Sequence, residues 1–495
     1  VLALSYDHLP YHLKPCLLYL GHYSEDLEIL ITKTCFGETT EEIARNCLSE
    51  LVERCAVQVG TTGSSGTMKT CRIHDLTRNL CLLKAKEESF VHNCYSLQEN
   101  EATNPFTSSM VAKAAPLGKV RRLSIYLDEN PDRLLSSRYE TNGHERSLLY
   151  FGLTERRQKS EKVLKIEDMK VEVELPSEIG NIIHLRFLSV RGSKMKRFPP
   201  SLGNLICLQT LDFRVQKSHM VIPNVIWNMK QLRHIYLPIH YTARGNLKLS
   251  TLGHLQTLDV LSTEYCDLKD VAGLTSLREL NIKLANSVEN LEEILKFAGS
   301  MLNRIRSLFV YIDYNSARKS SYEEQVRQIV SSCRHIYKLK LFGPTAELPK
   351  ELHSYPNLAK SQLRRYGLKE DQMGILEKIP NLTTLRLINE AFEENTKILV
   401  FSKGGFPSLE FLFVYGRREI TDWRVEEGAM PSLCRLHIEY CRGLTTLPDG
   451  LRYLTNLREL TITGMSKELH SRIQEDGEDF CKIQHVPSLV IGEAY

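Results

Sequence analysis

The sequence predicts an α/β fold. Each repeat of a solenoid adds one strand to a curved parallel sheet and one helical or irregular arm to its convex side, and a small, partly degenerate winged-helix domain comes first. Three observations predict it. The pattern L-x-x-L-x-L recurs as Leu185/Leu188/Val190, Leu208/Leu211/Phe213, Leu232/Ile235/Leu237, Leu255/Leu258/Val260 and Leu277/Leu280/Ile282, then from Ile305, Ile336, Leu382, Leu409, Leu433 and Leu457. The first steps are 23, 24, 23 and 22 residues and the last two are 24 each. A period of roughly 20–29 residues with this interior is the signature of a leucine-rich repeat. Between strands, L-P-x-x-I/L-x-x-L-x-x-L recurs at Leu175, Phe198, Ile222, Leu348 and Leu447, where proline ends the outgoing turn and the leucines pack the arm on the strand. Ahead of the repeats, helical and hairpin patterns alternate.

Residues 1–94 make up the winged-helix domain. Leu13, Cys16, Leu17 and Leu20 share one helical face. A second helix runs from about Thr40 to Cys55, with Ile43, Cys47, Leu48, Leu51, Val52 and Cys55 as its apolar stripe. Thr39 with Glu42 is a capping box at its start. Val57–Val59 and Met68–Ile73 flank a Gly/Ser loop and predict a hairpin. A third helix follows from about Asp75 with Leu76, Leu80 and Leu83 inward. Residues 95–118 lose periodicity and read as a linker.

The repeats occupy 119–495. Val120, Leu123 and Ile125 form a first degenerate strand, and Leu164 with Ile166 another. After Leu277 the steps stretch to 28 and 31 residues, and the excess includes the polar run Asp313–Tyr322. That run reads as an insertion outside the core stack, in a solenoid interrupted at its middle.

Composition narrows the function. The 495 residues carry 64 basic and 60 acidic side chains, a net charge of +4, too balanced to imply a nucleic-acid or membrane partner. Apolar runs fall short of the ~18 residues a membrane helix needs, and no N-terminal stretch is laid out as a signal peptide. The chain starts at Val1 inside a helix-like run, from which a fragment or a truncated gene product is expected. Thirteen scattered cysteines without C-x-x-C fit reduced, buried thiols of a cytosolic protein. Asn381-Leu382-Thr383 matches a glycosylation acceptor by letter, but Leu382 is a core position. Glu41, Glu42, Glu50 and Glu53 on the second helix would repel DNA phosphates. No nucleophile–base arrangement supports an enzyme.

Strand alternation places the residues flanking and between the last two leucines of each pattern on the concave side. There stand Phe309 and Tyr311; Lys338, Lys340 and Phe342; Phe411, Phe413 and Tyr415; and Arg435 and His437. Earlier strands display Phe187, Arg191, Asp212, Arg214, His234 and Tyr236. Aromatic and arginine side chains carry most binding hot spots, so the stripe from Phe309 to His437 is the candidate partner-binding surface. Packing of single aromatics on neighbouring repeats is the competing reading.

Leu4-Ser-Tyr-Asp-His-Leu-Pro10, Leu13-Lys-Pro-Cys-Leu-Leu-Tyr19, Cys71-Arg-Ile-His-Asp-Leu76, Trp423–Pro431 and Leu447–Thr455 together resemble the plant coiled-coil nucleotide-binding leucine-rich-repeat disease-resistance proteins. In that family a nucleotide domain holds ADP at rest and exchanges it for ATP on activation. The histidine of a Met-His-Asp motif reaches the ADP β-phosphate and the aspartate braces the loop. The resemblance therefore implies His74 as a cofactor contact and Asp75 as its support, with Ile73 in the place of Met. From the residues alone, Asp75 is equally a helix cap and His74 a strand end. The phosphate loop, the acidic strand end for Mg²⁺ and the G-L-P-L segment, all upstream in the family, do not occur in this chain. No cofactor is expected for it alone; ADP/ATP belongs to the full-length relatives. Leu30–Cys35 replaces a longer tryptophan-bearing stretch, so the first domain is expected to lack a helix. The resemblance implies a non-enzymatic immune receptor, cytoplasmic or peripheral at the plasma membrane. Its repeats would recognise a pathogen effector, a guarded host protein or the nucleotide-binding domain, with no nucleic acid and no transmembrane segment. The alternatives are an ADP/ATP-binding switch subunit and a truncated decoy receptor.

Overall fold

A computed structural model of the chain describes residues 6–21, 29–30, 38–61, 68, 70–87, 92–95, 122–126, 147–151, 163–165, 172–173, 175, 177–195, 197–215, 220–243, 245–266, 268–284, 295–296, 299–312, 319–343, 347–368, 372–389, 391–392, 396–416 and 420–493. They fall in two compact units, Val1–Leu247 and Lys248–Tyr495.

The first unit opens with helices Leu13–Leu20, Glu38–Glu53 and Asp75–Glu87 and a three-stranded antiparallel sheet. Gln58 pairs with Arg72 and Val59 with Cys71, the expected wing. Ile29 pairs with Cys71 and Leu30 with Thr70 on the other side, a strand too short to carry a period. Leu13, Leu17, Leu51, Val57, Ile73 and Cys81 meet in the core. The capping-box side chains Thr39 and Glu42, and Ile43, lie outside the described residues.

Two expectations change here. Cys55 is exposed, not part of the stripe: at φ +56 it ends its helix in the left-handed conformation, with Ala56 N–H donating to Leu51 O at 3.0 Å. Leu76 and Leu83 are exposed, and Cys81 and Ala85 face inward instead. The reason is close approach. A Cβ built on Gly21 would stand 2.2 Å from Cys81 Cβ, so the third helix presents small side chains to the first, where leucines do not fit.

The remainder of this unit is a parallel sheet of His92–Tyr95, Arg122–Tyr126, Ser147–Phe151, Val163–Lys165, Phe187–Ser189, Thr210–Asp212 and His234–Tyr236. It takes in a strand ahead of the expected linker; residues 96–118 lie outside the described residues.

The second unit is a parallel sheet of Thr257–Ser262, Glu279–Leu284, Ser307–Ile312, Lys338–Phe342, Lys360–Arg364, Thr384–Ile388, Phe411–Tyr415, Arg435–Glu439, Glu459–Thr463 and Ser488–Ile491. The long steps do not interrupt it, because Leu280 pairs with Leu308 and Leu308 with Leu339. The second long step holds the arm-side helix Lys319–Ser331, whose Tyr322, Val326, Ile329 and Val330 are buried, while residues 313–318 of the polar run lie outside the described residues. Tyr322, expected outside the stack, is therefore core. Val260 is not a regular core position either. The ladder shifts between Leu258 and Leu261, Val260 has φ +64, and Leu261 takes its place opposite Ile282.

Arms start where proline was expected to end the turn: Pro199, Pro349 and Pro448 precede single 3₁₀ turns. Side-chain struts tie successive repeats. Asn381 donates to Pro356 O at 2.8 Å, Ser408 to Pro380 O at 2.6 Å, Ser432 to Pro407 O at 2.9 Å and Asn456 to Pro431 O at 2.7 Å. The asparagine of the glycosylation-like triplet is thus one of these struts.

Candidate functional site

The inward side chains of the second sheet, such as Leu339, Leu341, Leu385 and Leu387, are buried under the arms. The alternate residues form an open face in three rows, because the strands pair without slippage from Glu279 to Thr463. One row runs Ser307, Lys338, Lys360, Thr384, Phe411 and Arg435. The middle row runs Phe309, Lys340, Gln362, Arg386, Phe413 and His437. The third runs Tyr311, Phe342, Arg364, Ile388, Tyr415 and Glu439. All ten residues expected on this stripe lie in these rows.

Rings and cations interleave. Tyr311 stacks on Phe342 at 4.8 Å, and the Arg364 guanidinium covers Phe342 at 4.9 Å. Lys340 lies 5.9 Å above Phe309. Arg386 lies 4.3 Å above Phe413 and 5.9 Å from Phe411, which also has Arg435 at 5.5 Å. His437 meets Phe411 edge-on at 5.1 Å and Glu459 Oε1 at 3.0 Å. Burial holds Lys340 below its ordinary pKa, with Arg386 adding to the shift and Asp259 and Glu279 opposing it. Burial likewise lowers Arg386, against the pull of Glu439. Phe411 and Phe413 are only 5% and 8% exposed. They form the floor of the face, while Phe309, Tyr311, Lys338, Lys340, Phe342, Tyr415, Arg435 and His437 are half-buried.

The earlier strands differ. Phe187, Asp212, His234 and Tyr236 are buried. Asp212 is tied to Arg214, which covers Tyr236 at 4.4 Å. Arg191 is exposed.

Sequence reading missed the centre of the site. Lys360, Gln362 and Arg364 escaped because Ser361, buried in the core, stands where the pattern requires leucine. Arg386 is legible by alternation, because it stands between Leu385 and Leu387 in the repeat that begins at Leu382.

At the other end of the chain, His74 is exposed and is itself the cap of the helix Asp75–Glu87. Its carbonyl accepts from Arg78 N–H at 2.8 Å and its Nδ1 from Leu76 N–H at 3.3 Å. With Nδ1 accepting, the neutral ring carries its proton on Nε2. The Asp75 side chain lies outside the described residues. Among the described residues no group of histidine, cysteine, aspartate and glutamate is placed to hold a metal, and no helix is long and apolar enough to cross a membrane.

This repeat architecture defines a leucine-rich-repeat protein. A family model described as a leucine-rich repeat region matches residues 156–479, and the chain belongs to that family. Residues 28–81 match the disease resistance protein winged helix domain. The chain is 34% identical, over 99% of its length, to the probable disease resistance RPP8-like protein 2 and to the disease resistance protein RPP8, both of Arabidopsis thaliana, and covers 54% of each. Within the repeat family it is similar to plant disease-resistance proteins, with a winged-helix segment of their kind ahead of the repeats. It spans about half the length of these relatives. Among solved structures an internalin from Listeria monocytogenes matches at 13% identity and TM-score 0.38, over 68% of this chain and 81% of that one.

Proposed function

We propose that the chain is the sensing half of a plant innate-immune receptor, acting in the cytoplasm by binding and not by catalysis. The open face from Ser307 to Glu439 takes a protein partner: a pathogen effector, a guarded host protein or the receptor's own nucleotide-binding domain. The observation that carries this reading is the continuous set of aromatic and cationic side chains in register across six strands, from Phe309 to His437. A face that served stability alone would not expose so many groups suited to hot spots. His74 belongs to the same reading. Its Nε2–H is available to a phosphate beside a helix start, while Asp75 supports the turn.

The test is a chimera in which this chain replaces the matching half of the RPP8-like protein 2. Resistance is scored on challenged leaves across a panel of pathogen isolates. Tyr311→Ala and Tyr415→Ala are expected to abolish any resistance the chimera confers at unchanged protein level, and the arm-side Lys378→Ala to preserve it. Resistance that survives both tyrosine changes sinks the proposal. Titration of the isolated chain with ADP is expected to give no tight binding, since its sequence carries no phosphate loop.

A further inference from the structure

Gln362 sits at the centre of a cross of positive charge. Lys340 and Arg386 flank it in register on the neighbouring strands, each about 4.8 Å away between backbones. Lys360 and Arg364 stand on its own strand two residues before and after, on the same face, each roughly 7 Å away. Among the described residues, none of these four cations forms an ion pair, and the Gln362 amide has no hydrogen-bond partner. The cations rest on rings instead: Lys340 on Phe309, Arg386 on Phe413, Arg364 on Phe342, and Lys360 at 5.6 Å over Tyr337. A ring engages the charge through its quadrupole and leaves N–H donors free for a ligand.

This arrangement is costly for a structural role. Four like charges within roughly 10 Å repel one another, and burial strips water from Lys340 and Arg386. Scaffold cations in this chain are treated differently: Arg472 and Lys482 both close on Asp479. We propose that the cross is a binding site for a phosphoryl group, with Lys340, Lys360, Arg364 and Arg386 meeting its oxygens and the Gln362 amide donating from below. A carboxylate brings one charge and two oxygens. A phosphate monoester brings about −1.5 to −2 and three acceptor oxygens, which suits donors converging from four sides. The inference rests on the reading of this face as the recognition surface, and it names the chemistry of what docks there.

The test is calorimetry on the full chain with three probes: inorganic tripolyphosphate, a phosphoserine peptide and an oligoglutamate peptide of equal length. Binding of either phosphate probe is expected, weakening as sodium chloride is raised. The tighter of the two assigns the source, a free polyphosphate or a phosphorylated protein segment. Lys340→Met and Arg386→Met keep side-chain bulk and are each expected to weaken binding about tenfold or more, with urea midpoints checking the fold. Lys340→Arg is expected to retain binding. Lys378→Met, exposed on the arm side, is expected to leave it unchanged. The proposal falls if neither phosphate probe binds, if oligoglutamate binds as tightly, or if Lys378→Met weakens binding as much as the central variants. Should calorimetry fail while Tyr415→Ala still abolishes resistance in the chimera, only the phosphoryl site is lost; failure of both removes the recognition face.

Discussion

The Arg386 guanidinium lies 4.3 Å above the centre of the Phe413 ring, one strand away in the same row. Each side chain makes the other tolerable there: the ring loses water to the cation's flat face, and the cation recovers part of its lost hydration from the ring. Arg386→Ala is expected to destabilise the second unit by about 1 kcal/mol, and Arg386→Lys by less. Urea denaturation followed by the fluorescence of buried Trp423, in a Trp227→Phe background, reads this out. Equal losses for both variants would rule out stacking as the source.

Burial, with help from Arg233, lowers the His234 pKa from 6.5 to about 4. The unfolded chain therefore binds the proton first. Stability of the first unit is full above about pH 6.5 and falls by about 3 kcal/mol in total as pH drops toward 4, levelling off below. His234→Gln is expected to flatten this slope in urea midpoints followed by Trp227. A wild-type midpoint that does not change over that window contradicts the assignment.

Asp479, 1% exposed, closes the C-terminal end of the second unit. It accepts from Leu447 N–H at 2.9 Å, Arg472 Nε at 3.2 Å and Lys482 Nζ at 2.9 Å. Burial pushes its pKa up, but the hydrogen bonds from Arg472, Lys482 and Leu447 outweigh it and the net shift is downward. Its contribution is therefore present above about pH 4 and lost as pH falls further. Asp479→Asn is expected to cost about 1–2 kcal/mol at neutral pH: it removes the charge on which three hydrogen bonds converge, while Arg472 keeps Glu478 and Lys482 keeps Asp449. Faster hydrogen exchange confined to residues 447–491 would confirm the locality.

Gly21→Ala places a methyl group against Cys81, and overpacking of this kind costs about 1–3 kcal/mol. Leu76→Ser and Leu83→Ser, on the exposed side of the same helix, are expected to change stability by less than about 0.5 kcal/mol. Thermal melts of the three variants decide between this orientation and one with the leucines inward.

Much of the fold was legible because its signal is periodic. Leu277, Leu280 and Ile282 must bury together, and three such residues on one side of a strand demand an arm above them. Reading failed where the period breaks. Ser361 hid a strand, a bulge displaced Val260, and the small Cys81 and Ala85 outranked Leu76 and Leu83 for the core. Of the candidate site, the aromatic residues were legible because hot-spot chemistry is recognisable in single residues. The cross around Gln362 was not, since no single residue in it is unusual.

By itself, the sequence determined which side of each strand faces the core, because alternation is a local property of two-residue period. It also determined the class of protein, through the repeat and the residues from Leu4 to Leu76. Only the tertiary structure decided which open-face residues stand side by side. That depends on register between strands some two dozen residues apart, set by backbone hydrogen bonding while arms of unequal length absorb the difference. Lys340, Gln362 and Arg386 share a row for that reason, although 22 and 24 residues separate them in the chain.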